Sequence, residues 1–180
     1  MRFCMLFLLL MPLGLSAALA PKVSDENNGE ASAFKLKILN NEGKEVSFSE
    51  FKGKPVVLNF FASWCPPCAK QIAELTQVYN DLSPKGLVMI GAAADAKILQ
   101  DTSPDAELND VNGIIKEKHI PYLVGIATAE LTKDYKFKGI PTTIFIDRNG
   151  KIVKTFYGFH EKADFTDVLK QIMAEGDAKK

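Results

Sequence analysis

From Phe34 the chain twice alternates apolar and polar residues, in FKLKIL and in KEVSFS, with Asn40-Asn41-Glu42-Gly43 between the two runs. Short alternating runs around a turn rich in Asn and Gly predict a β-hairpin. Past SEFKGK the pattern changes, and Val56-Val57-Leu58-Asn59-Phe60-Phe61 is almost wholly apolar. A run without alternation predicts a central strand covered on both faces. Apolar positions then recur at helical spacing, at Cys68, Ile72, Leu75, Tyr79 and Leu82. A helix is expected from Pro66 to Leu82, where Ser83-Pro84 stops it. Gly86 to Ala92 reads as a second buried strand, and a strand-helix-strand unit of this length implies a right-handed parallel crossover.

Between Asp95 and Ile120 the periodicity weakens. Leu108, Val111 and Ile115 predict an amphipathic helix that Asn112-Gly113 interrupts. Nothing from Asp95 to Ala127 reads as a selective pocket. Tyr122 to Ala127 fits a short strand, and Glu130 to Phe137 a short helix. Pro141 to Asp147, the turn Arg148-Asn149-Gly150, and Lys151 to Tyr157 predict a second hairpin. Phe165, Val168, Leu169, Ile172 and Met173 share one face of a closing helix. Together these elements predict an α/β fold. A central mixed sheet is flanked by helices, with an N-terminal β-hairpin and an insertion after the second core strand.

Two segments of different character precede the first hairpin. Residues 1–20 carry one cation at Arg2, then a Leu-rich uncharged run, and end in Ala18-Leu19-Ala20, the pattern of an export signal. As a helix, Phe3 to Ala20 would span about 27 Å, just short of a bilayer core of about 30 Å. Cleavage after Ala18 and retention as a membrane anchor both fit, while Pro21 disfavours a cut after Ala20. Cys4 lies within the signal. Residues 21–33 are polar and small, a flexible linker, and 175–180 should fray. That leaves 34–174 as one domain.

Composition narrows the function. Lys+Arg and Asp+Glu number 22 each, so the chain lacks the basic excess of a nucleic-acid surface. At 47% hydrophobic and 24% charged it is globular rather than disordered.

The chemistry concentrates in Ser63-Trp64-Cys65-Pro66-Pro67-Cys68. CxxC spacing suits a zinc site, a structural disulfide or a redox pair. Zinc wants four ligands. The domain adds only His119, in the charged run KEKH, and His160, at a helix start, neither at metal-binding spacing. Both histidines read as solvated surface residues. A structural disulfide gains most by closing a long loop, and this loop is very short. CxxC at the start of a helix that follows a buried strand is instead the setting of redox chemistry. Cys65 sits where free N–H groups and the helix dipole favour a thiolate, which makes it the candidate nucleophile. Cys68, one turn further on the apolar face, is placed to resolve a mixed disulfide. In an oxidising compartment the two should pair as a Cys65–Cys68 disulfide. No cofactor or metal is needed.

VVLNFFASWCPPC, followed well downstream by GIPTTIFIDRNGKIV, resembles the thioredoxin superfamily. Within it the chain is similar to the exported TlpA/ResA/DsbE-like thiol-disulfide oxidoreductases. The resemblance implies a thioredoxin fold, Cys65 as the attacking thiol, Cys68 as the resolving thiol, and Pro141 as a cis-proline facing the disulfide. It also implies that the backbone of Ile140 lines a groove for an extended substrate chain. Trp64, Pro66 and Pro67 would flank the sulfur as contact surface. Core packing is the alternative for Trp64, and an ordinary trans proline opening a strand is the alternative for Pro141. The family further implies protein disulfides as substrates, a membrane thiol donor of the DsbD/CcdA type and a monomeric protein.

Three positions depart from the family pattern. Thioredoxins carry a buried aspartate where this chain has Asn59, ResA-like reductases a glutamate where it has Gln71, and the CcmG branch a glutamate where it has Thr142. Asn59 cannot accept a proton, so an ionisable relay at that position is lost, and placement in the cytochrome c maturation subgroup is weakened. Pro66 and Pro67 have no N–H, which leaves the Cys68 N–H as the nearest donor to the Cys65 sulfur. A weakly held thiolate favours the disulfide form and hence a reductant. The rivals are an oxidase or isomerase on the same scaffold, and a binding module whose CxxC is incidental. A peroxiredoxin would need a lone peroxidatic cysteine, which CPPC does not supply.

Overall fold

The structure, a computed structural model, describes residues 29–95 and 104–174. The expected export signal, residues 21–28 of the linker and the 175–180 tail lie outside them. The alternating runs form the hairpin of β1 (Lys35–Lys37) and β2 (Glu45–Ser47), antiparallel with Leu36 opposite Val46. The apolar run is β3 (Val56–Phe61), buried at every position, and α1 (Pro66–Leu82) and β4 (Val88–Ala93) follow it. The rest of the domain comprises α2 (Pro104–Glu117), β5 (Leu123–Ile126), α3 (Ala129–Asp134), β6 (Thr142–Ile146), β7 (Ile152–Tyr157) and α4 (Thr166–Ala174). Lys136, at φ 49, closes α3 before the expected end at Phe137. Among the described residues no helix is long and apolar enough to cross a membrane.

The five-stranded sheet has the order β5-β4-β3-β6-β7, with β3 parallel to β4 and antiparallel to β6. Successive side chains of a strand point to opposite faces. Val57 and Phe61 therefore face a layer built from Ile72 and Leu75 of α1, Val111 of α2, and Val168 and Ile172 of α4. Leu58 and Phe60 face Leu36 and Val46 of the hairpin, with Leu131 and Tyr135. Each fully buried Leu or Phe contributes about 1.5–3 kcal/mol relative to exposure in water.

The hairpin also closes the β5 edge. Leu39 N–H donates to Val124 O at 2.7 Å. The Asn40 amide donates to Tyr122 O at 2.7 Å and accepts Val124 N–H at 3.0 Å. A residue expected only to turn the chain thus serves as a strand partner and covers an edge that would otherwise invite association. Gly125 permits the contact, because an added Cβ there would sit 2.9 Å from Lys37 O.

Two expectations are corrected. Asn112-Gly113 does not interrupt α2. An added Cβ at Gly113 would meet nothing within 4 Å, so the helix runs on, at a cost of about 1 kcal/mol relative to Ala. Backbone pairing also begins before Phe34, since Gly29 O accepts Ile152 N–H and Ala31 N–H donates to Gly150 O, at 3.0 and 2.7 Å. Tyr135 Oη donates to Ser32 O at 3.0 Å; burial and then nearby Asp134 raise its phenol above the ordinary range.

The two glycines should respond in opposite senses. Gly113→Ala is expected to raise stability by about 0.5–1 kcal/mol. Gly125→Ala, which forces β5 and the hairpin apart, should lower it by about 1–3 kcal/mol. Urea midpoints at constant m-value measure both.

Candidate active site

Leaving β3, the chain turns through Ala62, Ser63 and Trp64 and enters α1 with Cys65 as the N-cap, at φ −95 and ψ 106. Pro66 and Pro67 open the helix, where their fixed φ suits the first turn and no N–H is left unpaired. The Cys68 N–H is divided between two acceptors of one residue, Cys65 O at 3.0 Å and Cys65 Sγ at 3.3 Å. The two cysteines form a disulfide with their Cα atoms 5.2 Å apart. Cys65 is 4% exposed and Cys68 0%. Whatever reaches the disulfide must therefore approach from the Cys65 side. Trp64, at 65% exposure, does not pack in the core, and Pro66 and Pro67 are exposed beside it.

The Ile140–Pro141 bond is cis and lies at the entry to β6. Phe60 opposes Thr142, which brings this entry to the edge of the sheet from which the motif loop leaves. Pro141 O accepts Gly158 N–H at 2.8 Å, and Ile140 packs partly buried against both core layers. Thr142 donates its hydroxyl to Gly139 O at 2.6 Å and so serves its own turn.

Beside the disulfide is a cavity of about 440 Å³ whose near wall is Ser63, Trp64, Cys65, Pro66 and Ala69. Its far wall belongs to α2, in the stretch expected to hold no selective pocket. The arrangement has a simple physical origin. Val111, Ile114 and Ile115 bury one face of α2 in the α1 layer, and that packing stands the opposite face across from the motif. Ile140 and Pro141 do not line this cavity.

Buried polar groups brace the motif. Asp95, just past β4, is fully buried and accepts from Ser63 N–H at 3.1 Å and Ser63 Oγ at 2.6 Å. Sequence reasoning missed this residue, although a carboxylate ending a buried apolar run is a signal that could have raised it. Asn59 accepts from Thr143 Oγ at 3.1 Å, and its Nδ2 has no acceptor among the described residues. Gln71 is also fully buried; its Oε1 accepts His160 N–H at 2.8 Å, and its Nε2 is likewise unpartnered. One turn further along α1, Glu74 accepts Lys162 N–H at 2.8 Å. α1 thus holds the loop after β7, where Phe159 is exposed next to Tyr157 at the end of β7. His160 is half-buried rather than simply solvated, with its ring edge-on to Phe156 at 4.8 Å and Nδ1 3.3 Å from Asp164. His119 is exposed.

A family model described as Redoxin matches residues 25–172. The thiol-disulfide oxidoreductase ResA of Bacillus thuringiensis subsp. konkukian (strain 97-27) is 30% identical over 132 residues, covering 73% of this chain and 70% of its own. ResA of Bacillus subtilis (strain 168) is 28% identical over 176 residues, 95% of this chain and 91% of its own. Among solved structures, a thiol:disulfide interchange protein of the thioredoxin family from Chlorobium tepidum TLS matches with a TM-score of 0.66. It is 30% identical and covers 83% of this chain and 99% of that one.

Asp95→Ala should strip Ser63 of both acceptors and cost about 2–3 kcal/mol, against about 1 kcal/mol for Ser63→Ala. Urea unfolding of the oxidised variants reads the difference. Equal, small losses would show that the carboxylate does not hold the motif loop.

Proposed function

Since the chain belongs to the Redoxin family, as a ResA-like thiol-disulfide oxidoreductase of the thioredoxin superfamily, we propose that it works outside the cytoplasm as a reductant of protein disulfides. In the reduced protein the Cys65 thiolate attacks one sulfur of the substrate disulfide. That S–S bond breaks, and the departing sulfur leaves as a thiolate that takes up a proton. Cys68 then loses its proton and attacks Cys65 Sγ, which breaks the mixed disulfide and frees the second substrate thiol. Two electrons have passed to the substrate, and the protein is left in the Cys65–Cys68 disulfide form.

The observation that carries the direction is the Cys68 N–H at 3.3 Å from Cys65 Sγ, shared with a carbonyl and following two prolines that have no N–H. A thiolate with so few donors is weakly stabilised, the dithiol form is correspondingly less favoured, and the protein tends to give electrons. Asn59 and Gln71 supply no ionisable proton acceptor near the motif, so the proton steps fall to the thiols and solvent. The Arg2 to Ala20 leader supports export, and a reductase in an oxidising compartment needs a thiol donor such as a membrane carrier of the DsbD/CcdA type. Apocytochrome c, an extended chain bearing a disulfide, is one substrate compatible with this role.

The reduction potential decides the direction: a value towards about −270 mV is expected, and one near about −120 mV would mean an oxidant. Rapid alkylation of Cys65 against pH should not give a pKa near the strongly oxidising extreme of about 3.5. Cys65→Ser should abolish catalytic reduction of insulin disulfides, and Cys68→Ser should accumulate mixed disulfides with substrates. Undiminished insulin reduction by Cys65→Ser would overturn the assignment of the attacking sulfur.

A further inference from the structure

The far wall of the cavity beside Cys65 carries Asn109, Asp110, Gly113, Ile114, Glu117 and Lys118. Asp110, Gly113 and Glu117 follow one another at helical spacing along one face of α2. Glu117 is paired with Lys118 at 2.8 Å, whereas Asp110 has no ion-pair partner among the described residues. Among the described residues the wall thus holds two carboxylates and one cation. Between the two carboxylates stands Gly113, where an added Cβ would meet nothing. Packing of the helix does not call for glycine there, and the helix is less stable for having it. What the missing side chain does is leave the space in front of the wall open. Ile114, almost wholly buried, shows only an edge to that space, and the exposed Trp64 ring lines it too, next to Cys65.

An exposed indole and an unpaired carboxylate match a long cationic side chain. Its methylene stem can lie on apolar surface while its charged end meets an aromatic face and a carboxylate. A Glu or Asp in the same space would be repelled by Asp110. Resting on the reading of Cys65 as the attacking sulfur, we propose that Asp110 is a specificity-determining residue that selects protein disulfides bearing Lys or Arg close to the attacked cysteine. Cys65 itself lines the cavity, so the cation belongs at a position flanking that cysteine. Gly113 keeps the space for it, and the family chemistry at the sulfur is unchanged.

The test uses two peptides, each joined by a disulfide to glutathione and identical except for Arg or norleucine at the positions flanking the cysteine. Single-turnover rates with the reduced protein follow the fluorescence of Trp64, its one tryptophan. Each rate is divided by the same peptide's rate with dithiothreitol, which removes intrinsic reactivity. The Arg peptide is expected to react roughly five- to tenfold faster at low salt, and added salt should shrink the ratio. Asp110→Asn should bring the ratio towards one, and Asp110→Lys should invert it; both changes are at an exposed position. A ratio near one in the wild type, or a ratio indifferent to both substitutions, overturns the selectivity while leaving the reductase reading intact. A wild-type protein that reduces neither peptide overturns the reductase reading, and this inference with it.

Discussion

The register of β3 against its two neighbours is the constraint on which the site depends. Phe61 lies beside Ala93 of β4, and Phe60 lies opposite Thr142 of β6. One edge of the sheet therefore gathers the motif loop leaving β3, Asp95 just past β4, and the cis Ile140–Pro141 bond entering β6. A slip of one residue would turn Val57 and Phe61 away from the α1 layer and expose Leu58 and Phe60 to the wrong packing partners. Because all six residues of β3 are buried, such a slip would disturb both cores at once.

At that edge, backbone chemistry and buried side chains act together on the disulfide. A helix start ordinarily offers several N–H groups to a sulfur at the N-cap, but here two prolines remove theirs and the next N–H is shared with a carbonyl. The fully buried polar groups of this region divide by chemistry. Asn59 and Gln71 are neutral amides bonded to Thr143 and to the loop after β7, while Asp95 accepts from Ser63. The fold thus uses a buried acidic side chain to hold the motif loop. The electronic character of Cys65 is left to the first turn of α1.

The insertion after β4 adds a second role to this framework. Its helix buries Val111, Ile114 and Ile115 against the α1 layer and presents Asp110 and Glu117 to the space beside Cys65. Residues that need not touch the disulfide at all can then bias which chain approaches it. With the selectivity proposed above, the thiol chemistry and the choice of partner would sit on separate elements.

Much of this was legible in the sequence because the relevant rules are local. The uninterrupted apolar run set β3 at Val56–Phe61, and helical spacing with proline punctuation set α1 at Pro66–Leu82, as the structure has them. The CxxC at their junction followed from the same reading. Asn112-Gly113 misled it, because a glycine in an open helical position lowers stability without ending the helix. Asn40, Gln71 and Asp95 stayed hidden for a different reason. Their partners are Tyr122 and Val124, His160, and Ser63, far away along the chain, and a hydrogen bond across such a distance leaves no period in the sequence. By itself the sequence determined the CxxC pair and the strand and helix that present it. The tertiary structure alone decided what stands across from that pair, because the cavity exists only once α2 is packed against the α1 layer.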